Sequence, residues 1–238
     1  MMSARTFKLF IALMISVATV GYANPKETKE AKDKKVEKKE KKEKLTLQGV
    51  YLAADAFGYI YPIFVKDRYY SSEVSATVNI GNRIFPVMEA GIGHTDMVSQ
   101  LYDIGYSTRA PYYRIGMDYN MQYKNGRPNY IYLGGRVGYT DFKYSVDAPA
   151  LIDPVWGNEV PVQFTDVPCR AIWAEAVGGV RAEIFKNLYM GWSLRYKYPI
   201  HKGSITNGGP WYIPGYGTGS KTAFGATYTV SYYFKLKR

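Results

Sequence analysis

After residue 45 the chain alternates apolar and polar side chains with a period of two, run after run. The clearest run is the last. Phe224, Ala226, Tyr228, Val230, Tyr232, Phe234 and Leu236 share one face, and Ala223, Gly225, Thr227, Thr229, Ser231, Tyr233 and Lys235 share the other. A period of two is that of a β-strand whose two faces meet different surroundings, and this run is long enough for a tilted membrane strand. Seven earlier segments repeat the pattern. Their apolar faces are led by Val50 and Leu52, by Val74 and Val78, by Ile84 and Met88, by Tyr113 and Ile115, by Ile131 and Leu133, by Ile172 and Ala174, and by Leu188 and Trp192. The pattern therefore predicts eight strands.

The connections support one arrangement of these strands. Gly81-Asn82, Asn125-Gly126 and Lys186-Asn187 are tight-turn residues that tolerate positive φ. The other connections are expected to be long, at about Phe57–Ser72, Thr95–Ala110, Val146–Arg170 and Ile200–Lys221. Short turns on one side and long loops on the other predict an all-β, eight-stranded antiparallel up-and-down transmembrane β-barrel, with periplasmic turns and extracellular loops. A soluble barrel with its apolar face inward is the competing reading. Three features favour the membrane version. Most apolar faces carry no charge over a membrane-sized span, as lipid contact requires. Aromatic residues gather at both ends of those faces, Tyr123, Tyr232 and Phe234 at one and Tyr113, Tyr139, Tyr198 and Phe224 at the other. The charges on the opposite face also nearly cancel.

Those charges are the candidate interior. Asp55, Glu73, Glu89, Asp118, Glu175 and Glu183 stand against Arg114, Arg136, Arg181, Arg195 and Lys197 on the polar faces. An eight-stranded barrel is just wide enough for side chains to fill it. Charges converging in so narrow a space are expected to pair, because an unpaired buried charge is costly. The sequence thus predicts a plugged lumen held by a charge network.

Composition adds an address. Arg5 and Lys8, the apolar run Leu9–Val20 and Gly21-Tyr22-Ala23 read as a secretory signal peptide over residues 1–23, cleaved after Ala23; Asn24 in place of cysteine argues against a lipid anchor. Residues 24–44 hold ten lysines and six acids between Pro25 and Lys44 without an aromatic, and read as a solvated periplasmic linker. Residues 45–238 form the barrel. The linker carries much of the formal charge of +11, so the basic balance is no sign of nucleic acid, and no nucleic-acid motif accompanies it. Its lysines suit a periplasmic protein or cell-wall contact. Tyrosine, at 24 residues, suits strands and membrane interfaces. The single cysteine, Cys169, cannot form an internal disulfide and reads as a surface-loop thiol.

Residues 45–238 resemble the small eight-stranded outer-membrane barrels of the OmpA/OmpX type, and more loosely other Gram-negative outer-membrane barrels. The chain departs from that pattern in continuing Lys235-Leu236-Lys237-Arg238 past Phe234, and in carrying its polar segment before the barrel. The resemblance implies a monomeric barrel in the outer membrane of a Gram-negative bacterium, in contact with its lipid and lipopolysaccharide. Enzymes of lipid A acylation have similar size and place histidine, serine and acid near the outer rim. Here His94, Asp96 and Ser99 fall near one strand end and His201 and Ser204 near another, but spacing alone does not bring a base to a nucleophile.

No catalytic, cofactor or metal site is assigned. The acids Asp147, Asp153, Glu159 and Asp166 match no cation-loop spacing. Trp211, Tyr212 and Tyr216 lie in a glycine-rich loop and are either recognition residues or parts of a lid that folds into the barrel mouth. The function expected is structural, adhesive or surface-recognising. An accessory subunit of a secretion or assembly machine, and a lipid A-modifying enzyme, are the alternatives.

Overall fold

The structure is a computed structural model that describes residues 46–56, 58, 69–99, 103–125, 128–152, 159–203, 209–218 and 221–236. Residues 1–23 and 24–44, expected as signal peptide and lysine-rich linker, lie outside the described residues. Strands β1 (Leu47–Asp55), β2 (Tyr69–Ile80), β3 (Ile84–Ser99), β4 (Ile104–Asn120), β5 (Tyr130–Ile152), β6 (Glu159–Phe185) and β7 (Leu188–Lys202) follow one another as an antiparallel meander. A two-strand hairpin follows, β8 (Tyr212–Ile213) and β9 (Gly217–Thr218), and then the last long strand, β10 (Ala223–Lys235). The eight long strands close into a barrel in the order β1-β10-β7-β6-β5-β4-β3-β2. Closure is made by the terminal strand, with Leu52 of β1 opposite Tyr232 of β10.

The alternation seen in the sequence becomes an inside and an outside. Leu52, Val74, Met88, Ile115, Leu133, Val180, Leu194 and Phe224 all point outward and are exposed, Leu194 at 67% and Phe224 at 82%. A soluble protein does not present so continuous an apolar belt to water, whereas a barrel in lipid must. Closure gives each of the eight long strands a neighbour on both sides, which satisfies the backbone in a medium without water. The apolar face is therefore the lipid face, and the described residues form a transmembrane barrel.

The turns have the geometry their residues suggest. Gly81 and Asn82 both take positive φ, 62° and 55°, as the central residues of a tight turn in which the Arg83 amide donates to Ile80 O at 3.2 Å. Asn187 does the same in the β6–β7 turn, at 66°. The β4–β5 connection is longer than a two-residue turn, since a single 3-10 turn, Tyr123–Asn125, intervenes before Tyr130.

Two of the expected long loops are instead strand. Between Thr95 and Ala110 the β3–β4 ladder continues, with Thr95 opposite Thr108 and Met97 opposite Tyr106. Between Val146 and Arg170 the β5–β6 ladder continues through Tyr144 opposite Val167 and Ala148 opposite Val162, so β6 reaches 27 residues. Beyond the membrane an outward side chain meets water and needs no apolar character, while Tyr106 and Tyr144 still pack inward.

Candidate functional site in the barrel lumen

The inward side chains form three layers along the barrel axis. At the turn end Tyr51, Phe85, Tyr130, Tyr132, Val177 and Tyr189 pack together with Tyr233. Phe85 stacks on Tyr130 at 5.0 Å between ring centres, and Tyr51 on Tyr233 at 4.3 Å. Arg181 enters this layer with its guanidinium 4.7 Å from the Tyr51 ring, and its Nη1 donates to the Tyr130 hydroxyl at 3.0 Å. Ring faces receive the charge of this arginine where the other lumen arginines meet carboxylates.

The middle layer is ionic, and the strand register creates it. Glu89 of β3 stands directly opposite Arg114 of β4. Arg136 of β5 stands opposite Glu175 of β6, which in turn faces Lys197 of β7. The register thus sets acid against base in two runs, β3–β4 and β5–β6–β7, before any side chain bends.

Across the lumen, four carboxylates and three guanidiniums knit together. Arg195 Nη1 reaches Glu89 at 2.6 Å and Glu175 at 3.4 Å, and its Nη2 reaches Glu73 at 3.2 Å. Arg114 contacts Glu73, meets Glu89 at 3.0 Å and brings its Nε within 3.0 Å of Glu175. Arg136 links Glu89 at 3.2 Å to Asp118, which it holds through Nη1 at 2.7 Å and Nη2 at 3.0 Å. Tyr112 donates to Glu73 at 2.9 Å and the Trp173 indole to Glu175 at 2.6 Å. Among the described residues the buried charged side chains are Asp55, Glu73, Glu89, Asp118 and Glu175 against Arg114, Arg136, Arg181, Arg195 and Lys197, whose formal charges cancel. Neutrality with multiple hydrogen bonds is what offsets the desolvation of so many ions. Glu183 stands apart: it is half-buried at the turn end, where its carboxylate accepts from the Asn187 amide at 3.1 Å.

The loop-end layer is aromatic again. Tyr106, Tyr112, Phe142, Tyr144 and Trp173 line it, with Cys169 among them. Cys169 is therefore buried in β6 and is not the surface-loop thiol expected; its strand continues where a loop was predicted. Segment 209–218 folds down onto this layer. Tyr212, Ile213 and Tyr216 are buried in it, whereas Trp211 is 38% exposed and stacks on Tyr106 at 5.8 Å.

Backbone carbonyls anchor the segment. Tyr106 donates to Tyr212 O at 2.7 Å, Arg114 Nη2 to Gly215 O at 2.9 Å, and Lys197 Nζ to Gly215 O at 2.7 Å and Tyr216 O at 3.1 Å. Gly215 has φ +78°, and a Cβ there would lie 2.5 Å from the Tyr112 ring, so only glycine fits. A cavity of about 210 Å³ is left between this segment and the ionic layer, with Asp55, Glu73, Arg195 and Lys197 in its wall.

The histidines stand elsewhere. His94 projects outward from β3, and its Nδ1 lies 3.2 Å from Thr108 O. Asp96 shares that outward face, while Ser99 falls on the opposite parity of the strand. His201 is exposed, and Ser204 lies outside the described residues. Of the loop acids Asp153 lies outside them too, and among the described residues no group of three or more His, Cys, Asp or Glu side chains is placed to hold a metal ion.

The aromatic layers are the part of the lumen that reading charges alone overlooks. Their signal was present, since Tyr51, Phe85, Tyr132, Trp173 and Tyr189 all fall on the small or polar face of their strands, interleaved with glycine. Glycine on one strand makes room for a ring from the next. A Cβ on Gly138 would lie 2.2 Å from the Trp173 indole.

Eight closed strands, an apolar exterior and a lumen filled by two aromatic layers around an ionic one define the class: a small transmembrane β-barrel with a filled interior. The chain belongs to the family described as a domain of unknown function, DUF6048, whose profile matches residues 6–238. Among solved structures it is similar to the crystal structure of Neisserial surface protein A (NspA). That match has 14% identity and a TM-score of 0.44, and covers 79% of this chain and 96% of the other. No curated protein matched the sequence.

Proposed function

We propose that this protein is a non-enzymatic barrel of the Gram-negative outer membrane, with a structural, adhesive or surface-recognition role. The observation that carries the reading is the filled lumen. Neutral ion pairing between aromatic layers, with segment 209–218 over the loop end, favours a rigid body over a conduit. In this reading residues 1–23 direct export and are removed, and the Gly81-Asn82 and Lys186-Asn187 turns face the periplasm. The β3–β4 and β5–β6 hairpins and the Trp211 edge then face outward as the surface offered to partners. Residues 24–44 supply a periplasmic contact with protein or cell wall.

The test joins three measurements on one preparation. Membrane fractions are run heated and unheated, intact cells are treated with protease, and the purified barrel is placed in a planar bilayer. A heat-modifiable band, cleavage on the loop side of the barrel from outside, and a silent bilayer are expected. Stepwise conductance from the purified protein would overturn the filled-lumen reading, and cleavage only after the outer membrane is breached would overturn the orientation.

A further inference from the structure

The lipid face carries one feature that the lumen does not explain. Outward positions of β3, β4, β5 and β6 line up at the loop-end rim. His94 is opposite Arg109. Thr108 is opposite Tyr144, so the next residues, Arg109 and Lys143, stand level on neighbouring strands. Lys143 in turn faces Pro168, and one step nearer the membrane Asp141 faces Arg170.

Arg109 and Lys143 are both exposed, and among the described residues neither forms an ion pair. Like charges level across two strands repel one another, so the fold alone gains nothing from this pairing. Asp141 is held by Arg170 at 3.1 Å in a pair more than half exposed, and such pairs are worth little. Asp96, the other outward acid of β3, lies level with Ser107, beyond the cationic row. Four residues nearer the membrane on each strand, past Pro111 and Asp141, stand Tyr113 and Tyr139, opposite one another. Two exposed cations on the loop side of an aromatic girdle are placed at headgroup height.

A second observation lies further down the same face. An apolar groove of about 560 Å³ opens on β5, β6, β7 and β10, with Ala176 and Gly178 low between Leu133, Leu194, Tyr196 and Phe224. From Pro168, level with Lys143, to Ala176 is eight residues of one strand, about 26 Å along it and, at a tilt near 40°, about 20 Å in depth. That is about half the thickness of a bilayer with its headgroups. The groove therefore lies where the far end of an acyl chain arrives when its headgroup sits at the cationic row.

We propose that this face is a docking site for a phosphate-bearing lipid of the loop-side leaflet, its phosphate between Arg109 and Lys143 and one acyl chain in the groove beside Gly178. The inference rests on the membrane orientation proposed above.

The test uses the full-length barrel in a zwitterionic detergent. Lipid A, dephosphorylated lipid A and inorganic phosphate are titrated separately, with binding read by native mass spectrometry. Lipid A is expected to bind and inorganic phosphate not to compete. Arg109→Gln with Lys143→Gln is expected to weaken lipid A about thirtyfold, while leaving the heat-dependent mobility shift unchanged. Gly178→Leu, which fills the groove from outside, is expected to weaken lipid A while leaving that shift unchanged as well. Equal binding of dephosphorylated lipid A, competition by inorganic phosphate, or lipid A binding untouched by the double substitution would each overturn the site. Because the mobility shift and the protease pattern report the barrel and its orientation separately, failure of the site is distinguishable from failure of the reading beneath it.

Discussion

The ammonium of Lys197 donates to the carbonyl oxygen of Gly215 at 2.7 Å, tying a lumen charge on β7 to the backbone of the segment that covers it. This contact joins the two halves of the site. A buried cation that would otherwise need a carboxylate is satisfied by a loop, and the loop is held down by the interior. Gly215→Ala is expected to release segment 209–218, because the new Cβ meets the Tyr112 ring and the φ of +78° is strained for any L side chain. Limited proteolysis of the folded barrel should then cut within the segment at protease levels that spare the parent. The heat-dependent mobility shift should persist. Unchanged proteolysis would show that the segment has other anchors of equal strength.

Glu89 is the most shared carboxylate, contacted by Arg114, Arg136 and Arg195. Glu89→Gln removes one charge from a neutral interior and leaves its guanidiniums without a full counterion. A cost of about 3–5 kcal/mol is expected, as for other broken buried pairs. Glu183→Gln, at the half-buried turn end, is expected to change stability by less than about 0.5 kcal/mol. Urea titrations followed by the mobility shift compare the two directly, and similar midpoints would refute the network's role.

Trp173 lies over Gly138, and the pair offers a cycle. Gly138→Val overpacks the lumen and is expected to cost about 1–3 kcal/mol. In a Trp173→Ala background the same substitution should cost clearly less, because the indole it meets has gone. Additive effects in the four-way comparison would show that the close approach is not what holds glycine at this position.

Cys169 should resist maleimide in the folded barrel and react once the barrel is heated in detergent, since it is buried among Tyr106, Phe142 and Trp173. Rapid labelling of the folded protein would place the thiol on the surface after all.

Leu194 tests the lipid face, at 67% exposed in the middle of the apolar belt. Leu194→Arg is expected to cost about 2–4 kcal/mol in a bilayer. The reverse outcome, a neutral effect, would mean that this face meets water.

Much of this architecture was legible in the order of the residues. Period-two alternation determined the strands and their two faces, because each side chain of a strand must choose one side or the other. Gly81-Asn82 and Lys186-Asn187 determined tight turns, because few residues tolerate their backbone. The near balance of acids and bases on one face already implied pairing.

Three things were decided only in three dimensions. The register placed Glu89 against Arg114 and Glu175 against both Arg136 and Lys197, a relation that no single strand contains. Closure of the ring stacked inward rings from distant strands, such as Phe85 on Tyr130, into layers above and below the charges. Past the membrane, the ladders of β3–β4 and β5–β6 continued through polar residues, and segment 209–218 turned inward rather than outward. Alternation is local and records only which side of a strand a residue takes. Depth, partner and loop path depend on the stagger between strands and on what the far wall of the lumen presents.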